Sequence, residues 1–345
     1  MTDRFILKKD HLVPFLARLA KEYRIVAPAR NRFGDTQFSE LAQQDLHHLD
    51  LDNQPQTSAK SFLLPQRETL FTYTSAAADN YAFAAENGIR PTVFFGLRSC
   101  DLSAILYMDV IFQTAGDPYY RRRRQDSILI SLGCNTPFAN CFCLATKNGP
   151  FLEFGFDLQF TDLGDTYFVE AGRSRGLVLI RQWQLFFQPA GKEASQAQYQ
   201  TFLESRGKFA LNVPVEQAIS LLRQGQVEER IYEELSLRCQ DCGGCAYICP
   251  TCTCFTITDR QTSETDGERI RSWDACTFAG FTRMAGGHNP VDQQRAKIKK
   301  RFLHKLLHDV DKHRRPSCVG CGRCVGMCFG GVDIVRFIQM ACEAQ

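Results

Sequence analysis

No stretch of 18 or more apolar residues occurs in this 345-residue chain, so the sequence offers no candidate transmembrane helix. Nor is a secretory leader expected. Met1-Thr2-Asp3-Arg4-Phe5-Ile6-Leu7-Lys8-Lys9 puts charges on both sides of a short apolar patch, whereas a leader needs a longer apolar region and a small-residue cleavage site. The expectation is a cytoplasmic protein. There is no Gly-x-Gly-x-x-Gly after a strand-like run, no Walker A sequence and no Cys-x-x-Cys-His haem site. A nucleotide or flavin site on this chain is therefore not expected. The net charge is only +3, from 41 Lys and Arg against 38 Asp and Glu, which gives no support for a dedicated nucleic-acid binder. No Ser/His/Asp or Cys/His catalytic set can be assembled from the sequence.

Cysteine is plentiful by contrast. There are 16, and 12 of them fall between Cys239 and Cys342. A chain this long does not need disulfides to make up for a small core. In a reducing compartment, clustered cysteines more often bind metal than pair with each other.

The first two hundred residues alternate between elements. Residues 10–21 have helical apolar spacing behind Asp10, and 23–27 read as a strand. Residues 50–61 are polar and read as loop. Thr69–Thr74, Thr92–Leu97 and Ser127–Leu132 are rich in β-branched and aromatic residues and read as strands, with a helix over Asp101–Phe112. Phe156–Phe160 and Thr166–Glu170, separated by Asp162-Leu163-Gly164-Asp165, predict a hairpin. From about 192 onward the pattern is mainly helical. Pro214 suits the first turn of a helix to Leu222, and Gln226–Arg238 predicts another that leads into Cys239. The expected fold is α+β: an N-terminal mixed α/β domain over 1–215, then a mainly α-helical, ferredoxin-like dicluster domain over 226–345.

Two motifs carry the chemistry. Cys239-x2-Cys242-x2-Cys245-x3-Cys249-Pro250 is followed by Cys318-x2-Cys321-x2-Cys324-x3-Cys328. Three thiolates two residues apart let a tight loop wrap one face of an iron–sulfur cubane. The fourth cysteine points away and ligates the other cluster. By that rule Cys239, Cys242, Cys245 and Cys328 hold one [4Fe–4S] cluster, and Cys318, Cys321, Cys324 and Cys249 hold the second. Gly243, Gly244, Gly320 and Gly322 suit backbone that turns sharply beside sulfur. Structural zinc is the alternative, but four ligands per ion leave the third and fourth cysteines of each run unexplained. Shared ligands would hold the clusters close together, as an electron relay requires.

Further stretches carry a resemblance. Cys249-Pro250-Thr251-Cys252-Thr253-Cys254-Phe255, Trp273-Asp274-Ala275-Cys276, Met284-Ala285-Gly286-Gly287-His288-Asn289-Pro290 and Cys318-Val319-Gly320-Cys321-Gly322-Arg323-Cys324 resemble the dicluster iron–sulfur (beta) subunit of soluble sulfhydrogenases. The A subunit of anaerobic sulfite reductase is similar. The likeness extends upstream to Gly96-Leu97-Arg98-Ser99-Cys100-Asp101 and Asn140-Cys141-Phe142-Cys143. It implies an electron-transfer subunit working between a flavoprotein that handles NAD(P)H and a catalytic reductase or hydrogenase subunit. Phe329-Gly330-Gly331 departs from the Cys-Pro that usually closes such motifs. A cluster-based redox sensor and a zinc-stabilised interaction module are the competing classes.

Other residues carry weaker signals. Cys100, Cys134, Cys141 and Cys143 are the only cysteines of the N-terminal region. Cys100 and Cys134 follow two expected strands, so all four could meet at one sheet edge and bind a third [4Fe–4S] cluster or a zinc ion, or pack as buried thiols. Cys252, Cys254 and Cys276 read as packing near the clusters. Gly286–Pro290 reads as a turn, with His288 as a candidate tuning residue. Residues 291–315 carry nine Lys and Arg against three Asp, which reads as a docking face for an acidic partner or as a solvated helix face. Arg121–Arg124 reads as a solvated loop.

Overall fold

The computed structural model describes residues 3–77, 80–84 and 90–344. The fold is mixed α/β, with two sheets. The strands are β1 (Arg4–Lys8), β2 (Arg24–Arg30), β3 (Thr36–Leu41), β4 (Arg67–Ala77), β5 (Asn80–Ala84), β6 (Thr92–Leu97), β7 (Ser127–Leu132), β8 (Leu158–Asp162), β9 (Thr166–Ala171), β10 (Phe187–Pro189), β11 (Phe255–Gln261) and β12 (Asp266–Trp273). The larger sheet has the order β10-β1-β9-β8-β7-β6-β2-β3. Its centre, β8-β7-β6-β2, is parallel, and both flanks are antiparallel.

β6 and β7 are buried along their whole length, as parallel strands covered on both faces must be. Successive side chains go to opposite faces. Val93, Phe95, Ile128 and Ile130 pack against Phe15, Leu16 and Leu19 of the helix Leu12–Leu19. Phe94 and Leu129 face Leu102, Ile105, Met108 and Phe112 of the helix Ser99–Ala115. That helix starts at the C-terminal end of β6 and stops at Gly116, whose left-handed backbone (φ 66°) closes it.

A separate core joins the helices Val215–Arg223, Glu229–Arg238, Gln294–Leu303 and Ile334–Glu343, with Phe302 stacked on Phe337 at 4.2 Å. Asp333 caps the last helix, accepting from Val335 N and Arg336 N at 2.9 and 3.0 Å.

The smaller sheet, ordered β11-β12-β4-β5, joins the early and late parts of the chain. β12 pairs antiparallel with β4, and buried Arg271 donates to Glu68 and Asp117. This hairpin is an element that the sequence reading did not expect in a C-terminal part whose other regular elements are helical. β11 is exposed throughout, and its apolar alternation is confined to Phe255 and Ile257 before the polar Asp259-Arg260-Gln261, too short a signal to mark a strand. Arg121–Arg124 also departs from expectation. It lies in a helix, Pro118–Gln125, capped by Asp117, and Arg123 and Arg124 pair with Glu68 and Asp109.

Candidate metal centre

The two four-cysteine motifs lie face to face. Each wraps a short helix, Gly244–Tyr247 or Arg323–Met327, entered through a glycine in the left-handed region: Gly243 at φ 69° and Gly322 at φ 74°. The thiols surround two adjoining cavities. One is lined by Cys239, Cys242, Cys245 and Cys328. The other is lined by Cys318, Cys321, Cys324 and Cys249, with Cys245 on the shared wall. Each fourth cysteine thus stands with the three of the opposite motif. Among the described residues, no three or more His, Cys, Asp or Glu side chains converge to suit a single metal ion. A cubane asks for a wider cage, because its sulfur ligands sit at the corners of a box of iron and sulfide.

The surroundings fit an anionic group. Arg301 lines both cavities and Lys305 lines the second. They are 5% and 8% exposed. Among the described residues, Arg301 donates to Val332 O at 2.7 Å, Lys305 to Thr251 Oγ1 at 3.2 Å, and neither has a carboxylate partner. Burial opposes the Lys305 charge, but the sulfurs of Cys249, Cys252 and Cys318 more than offset it and push the amine's pKa up. Thr277 Oγ1, on the wall of the first cavity, is buried with no protein partner. Val332 N donates to Cys328 Sγ at 3.2 Å. Thiolates, uncompensated cations and a spare hydroxyl together suit a [4Fe–4S] cluster in each cavity.

The N-terminal region grips the second motif. Arg323, between Gly322 and Cys324, forms a bidentate ion pair with Asp101 at 2.7 and 3.0 Å, with both side chains at most 2% exposed. Arg323 Nε also donates to Pro55 O at 2.8 Å, and Gln54 Nε2 to Cys321 O at 2.7 Å. Phe142 N donates to Gly320 O at 2.8 Å. A Cβ on Gly320, whose φ is 66°, would lie 2.6 Å from Cys143 Cα. Gly320→Ala is therefore expected to cost about 1–2 kcal/mol for the left-handed backbone and about 1–3 kcal/mol for the clash. Thermal melting and iron content of the variant measure it.

The four N-terminal cysteines are all buried and lie near this contact. Cys100 opens the helix after β6, and Cys134 follows β7, the parallel neighbour of β6. Cys100 and Cys143 pack in one cluster with Cys321. Cys141 Sγ donates to Cys321 O at 3.6 Å. Burial pushes the Cys100 and Cys143 thiols well up, and that of Cys141 up to about 12. As free thiols they stay protonated, so a metal binding there would have to displace protons.

Cys252, Cys254 and Cys276 line neither cavity. The Cys254 thiol hydrogen-bonds to Cys276 and lowers it to about 6. His288 is exposed, also lines neither cavity, and its carbonyl accepts from Met284 N in a turn. After Cys328, a Cβ on Gly330 would fall 2.5 Å from Arg238 O, so the backbone that follows the second motif is packed against the approach to the first.

Sequence reasoning missed the cations. Lys297, Arg301 and Lys305 are spaced by four, on one face of the helical stretch that runs from Gln294 to His308. All three are buried, and Lys297 pairs with Asp241 at 2.7 Å. This part of the basic run 291–315 faces the cysteines, not solvent. Lys60 is a further buried cation, 3.8 Å from the Trp273 ring centroid and bonded to Cys252 O at 3.1 Å.

Residues 238–332 match the family model of the 4Fe-4S dicluster domain. The chain is an iron–sulfur protein. Over 334 residues this iron–sulfur protein is 26% identical to sulfhydrogenase 2 subunit beta of Pyrococcus furiosus, an alignment covering 96% of each chain. No solved structure matches it. The likeness to the Pyrococcus subunit takes in the N-terminal cysteines as well as the dicluster domain. Among the described residues, no helix is long and apolar enough to cross a membrane.

Proposed function

We propose that this protein holds two [4Fe–4S] clusters and relays electrons within a hydrogenase-type complex, between a flavin subunit that handles NAD(P)H and a catalytic hydrogenase or reductase subunit. The observation that carries the reading is the pair of adjoining cavities, each lined by three cysteines of one motif and the last of the other. A bound cubane supplies reversible one-electron transfer. The chain's own residues hold the sulfurs and leave one edge of the first cavity exposed. Cys242 is exposed there, beside Phe329 at 82% and Met327 at 42% exposure. That edge is the proposed contact with a partner. The complex is proposed to be cytoplasmic, and its partner chains are inferred from the sulfhydrogenase relative.

Cys100, Cys134, Cys141 and Cys143 are proposed as a third site, for a [4Fe–4S] cluster, next to Cys321; as the thiols stand, no three of them converge to suit a single zinc ion. Iron and acid-labile sulfide counts after anaerobic purification test the whole reading. Two clusters give about eight irons per chain and a third about twelve. In the latter case Cys141→Ser/Cys143→Ser returns the count to about eight. A colourless protein containing zinc and no labile sulfide would falsify the proposal. The isolated chain is expected to exchange electrons with artificial dyes and not to oxidise NAD(P)H. Tight stoichiometric FAD binding to it would reassign the flavin to this chain.

A further inference from the structure

Arg301 and Lys305 are buried cations whose charge is not met by any carboxylate among the described residues. Leaving such a charge unpaired in a protein interior costs several kcal/mol, so a fold that keeps two of them must supply an anion. The helix Gln294–Leu303 and the turn His304–His308 aim both side chains at the thiol-lined cavities. They are not equivalent. Arg301 stands on the wall that the two cavities share, whereas Lys305 borders only the second. The next cation along the same face, Lys297, is already neutralised by Asp241 and borders neither.

We infer that Arg301 is a positioning residue that sets the reduction potentials of both clusters together, while Lys305 sets that of the second alone. The inference rests on the two-cluster reading above. Thiolate ligands make each loaded site anionic, and reduction adds one more negative charge. A fixed cation at the wall favours the reduced form, and its removal lowers the potential. Because Arg301 serves both sites, it changes the difference between the two potentials less than Lys305 does. Lys305 biases the electron towards the deeper site.

The test is an EPR-monitored redox titration of the purified, iron-loaded chain. Arg301→Gln is expected to lower both midpoint potentials, each by roughly a tenfold change in the reduction equilibrium, about 59 mV for a one-electron couple. Arg301→Lys keeps the charge and is expected to restore most of both. Lys305→Met is expected to lower one potential and leave the other in place. Iron and sulfide counts on each variant separate a tuning effect from cluster loss. If Arg301→Gln retains its iron and shifts neither potential, or only one, the inference is wrong and the two-cluster reading stands. If Arg301→Gln loses iron, the decision passes to Lys305→Met, and equal shifts of both potentials there overturn the inference. A wild-type chain with no cluster signal ends both.

Discussion

Cys249→Ser is expected to strip the cluster of the second motif, although Cys249 belongs to the first. Its sulfur lines the cavity of Cys318, Cys321 and Cys324. About four of the expected eight or so irons should be lost, and Cys328→Ser should do the same to the other site. Paired substitutions make the result decisive. Cys318→Ser/Cys249→Ser removes two ligands of one cluster, so about four irons remain. Cys242→Ser/Cys249→Ser touches both clusters, and little iron remains. Iron and labile sulfide per chain measure the difference. If the second pair kept about four irons and the first kept little, each motif would be holding its own cluster and the crossed arrangement would fail.

Asp101→Ala is expected to produce the largest loss of stability from a residue that binds no metal. It leaves the Arg323 guanidinium buried with Pro55 O as its remaining bonded acceptor among the described residues. Breaking one half of a buried pair costs about 3–5 kcal/mol. The melting temperature should fall by roughly 4–7 °C. Arg323 lies next to Cys324, so iron retention should fall as well. Replacing both partners, as Asp101→Leu/Arg323→Met, removes the stranded charge and should recover much of the loss. Calorimetry on Asp101→Leu, Arg323→Met and the double gives the coupling directly. A double variant no more stable than Asp101→Ala would mean that the pair acts through shape and not charge.

What could be read in the sequence follows from how local each signal is. The cysteine spacing is local: a few residues fix which sulfurs one loop can present, and these cysteines line two cavities. Ser127–Leu132 and Thr92–Leu97 were legible because buried parallel strands are short runs of β-branched and aromatic residues. Residues 158–162 and 166–171 pair as the expected hairpin. Cys100 and Cys134 do follow neighbouring strands at one sheet edge. Arg301 and Lys305 were hidden for the opposite reason. A charge reads as solvated unless its partner is known, and among the described residues neither cation has a carboxylate bonded to it. Their four-residue spacing was visible, but which helix face meets the core depends on packing from distant segments. The pairing of Arg323 with Asp101 spans 222 residues and left no trace in either local pattern.

The smaller sheet bears on how the chain comes into being. Thr74 and Asp266 meet across β4 and β12, yet 192 residues separate them. During synthesis from the N-terminus, β4 emerges long before its neighbour, and its edge must wait without a partner, open to pairing with other chains. The thiols from Cys239 to Cys254 also appear before β12 closes the sheet. Newborn protein therefore passes through a stage with bare sulfurs and an unfinished edge together, when oxygen and aggregation threaten it most. A piece cut between 215 and 226 would keep that vulnerability for good: each half would carry strands whose neighbours had left with the other.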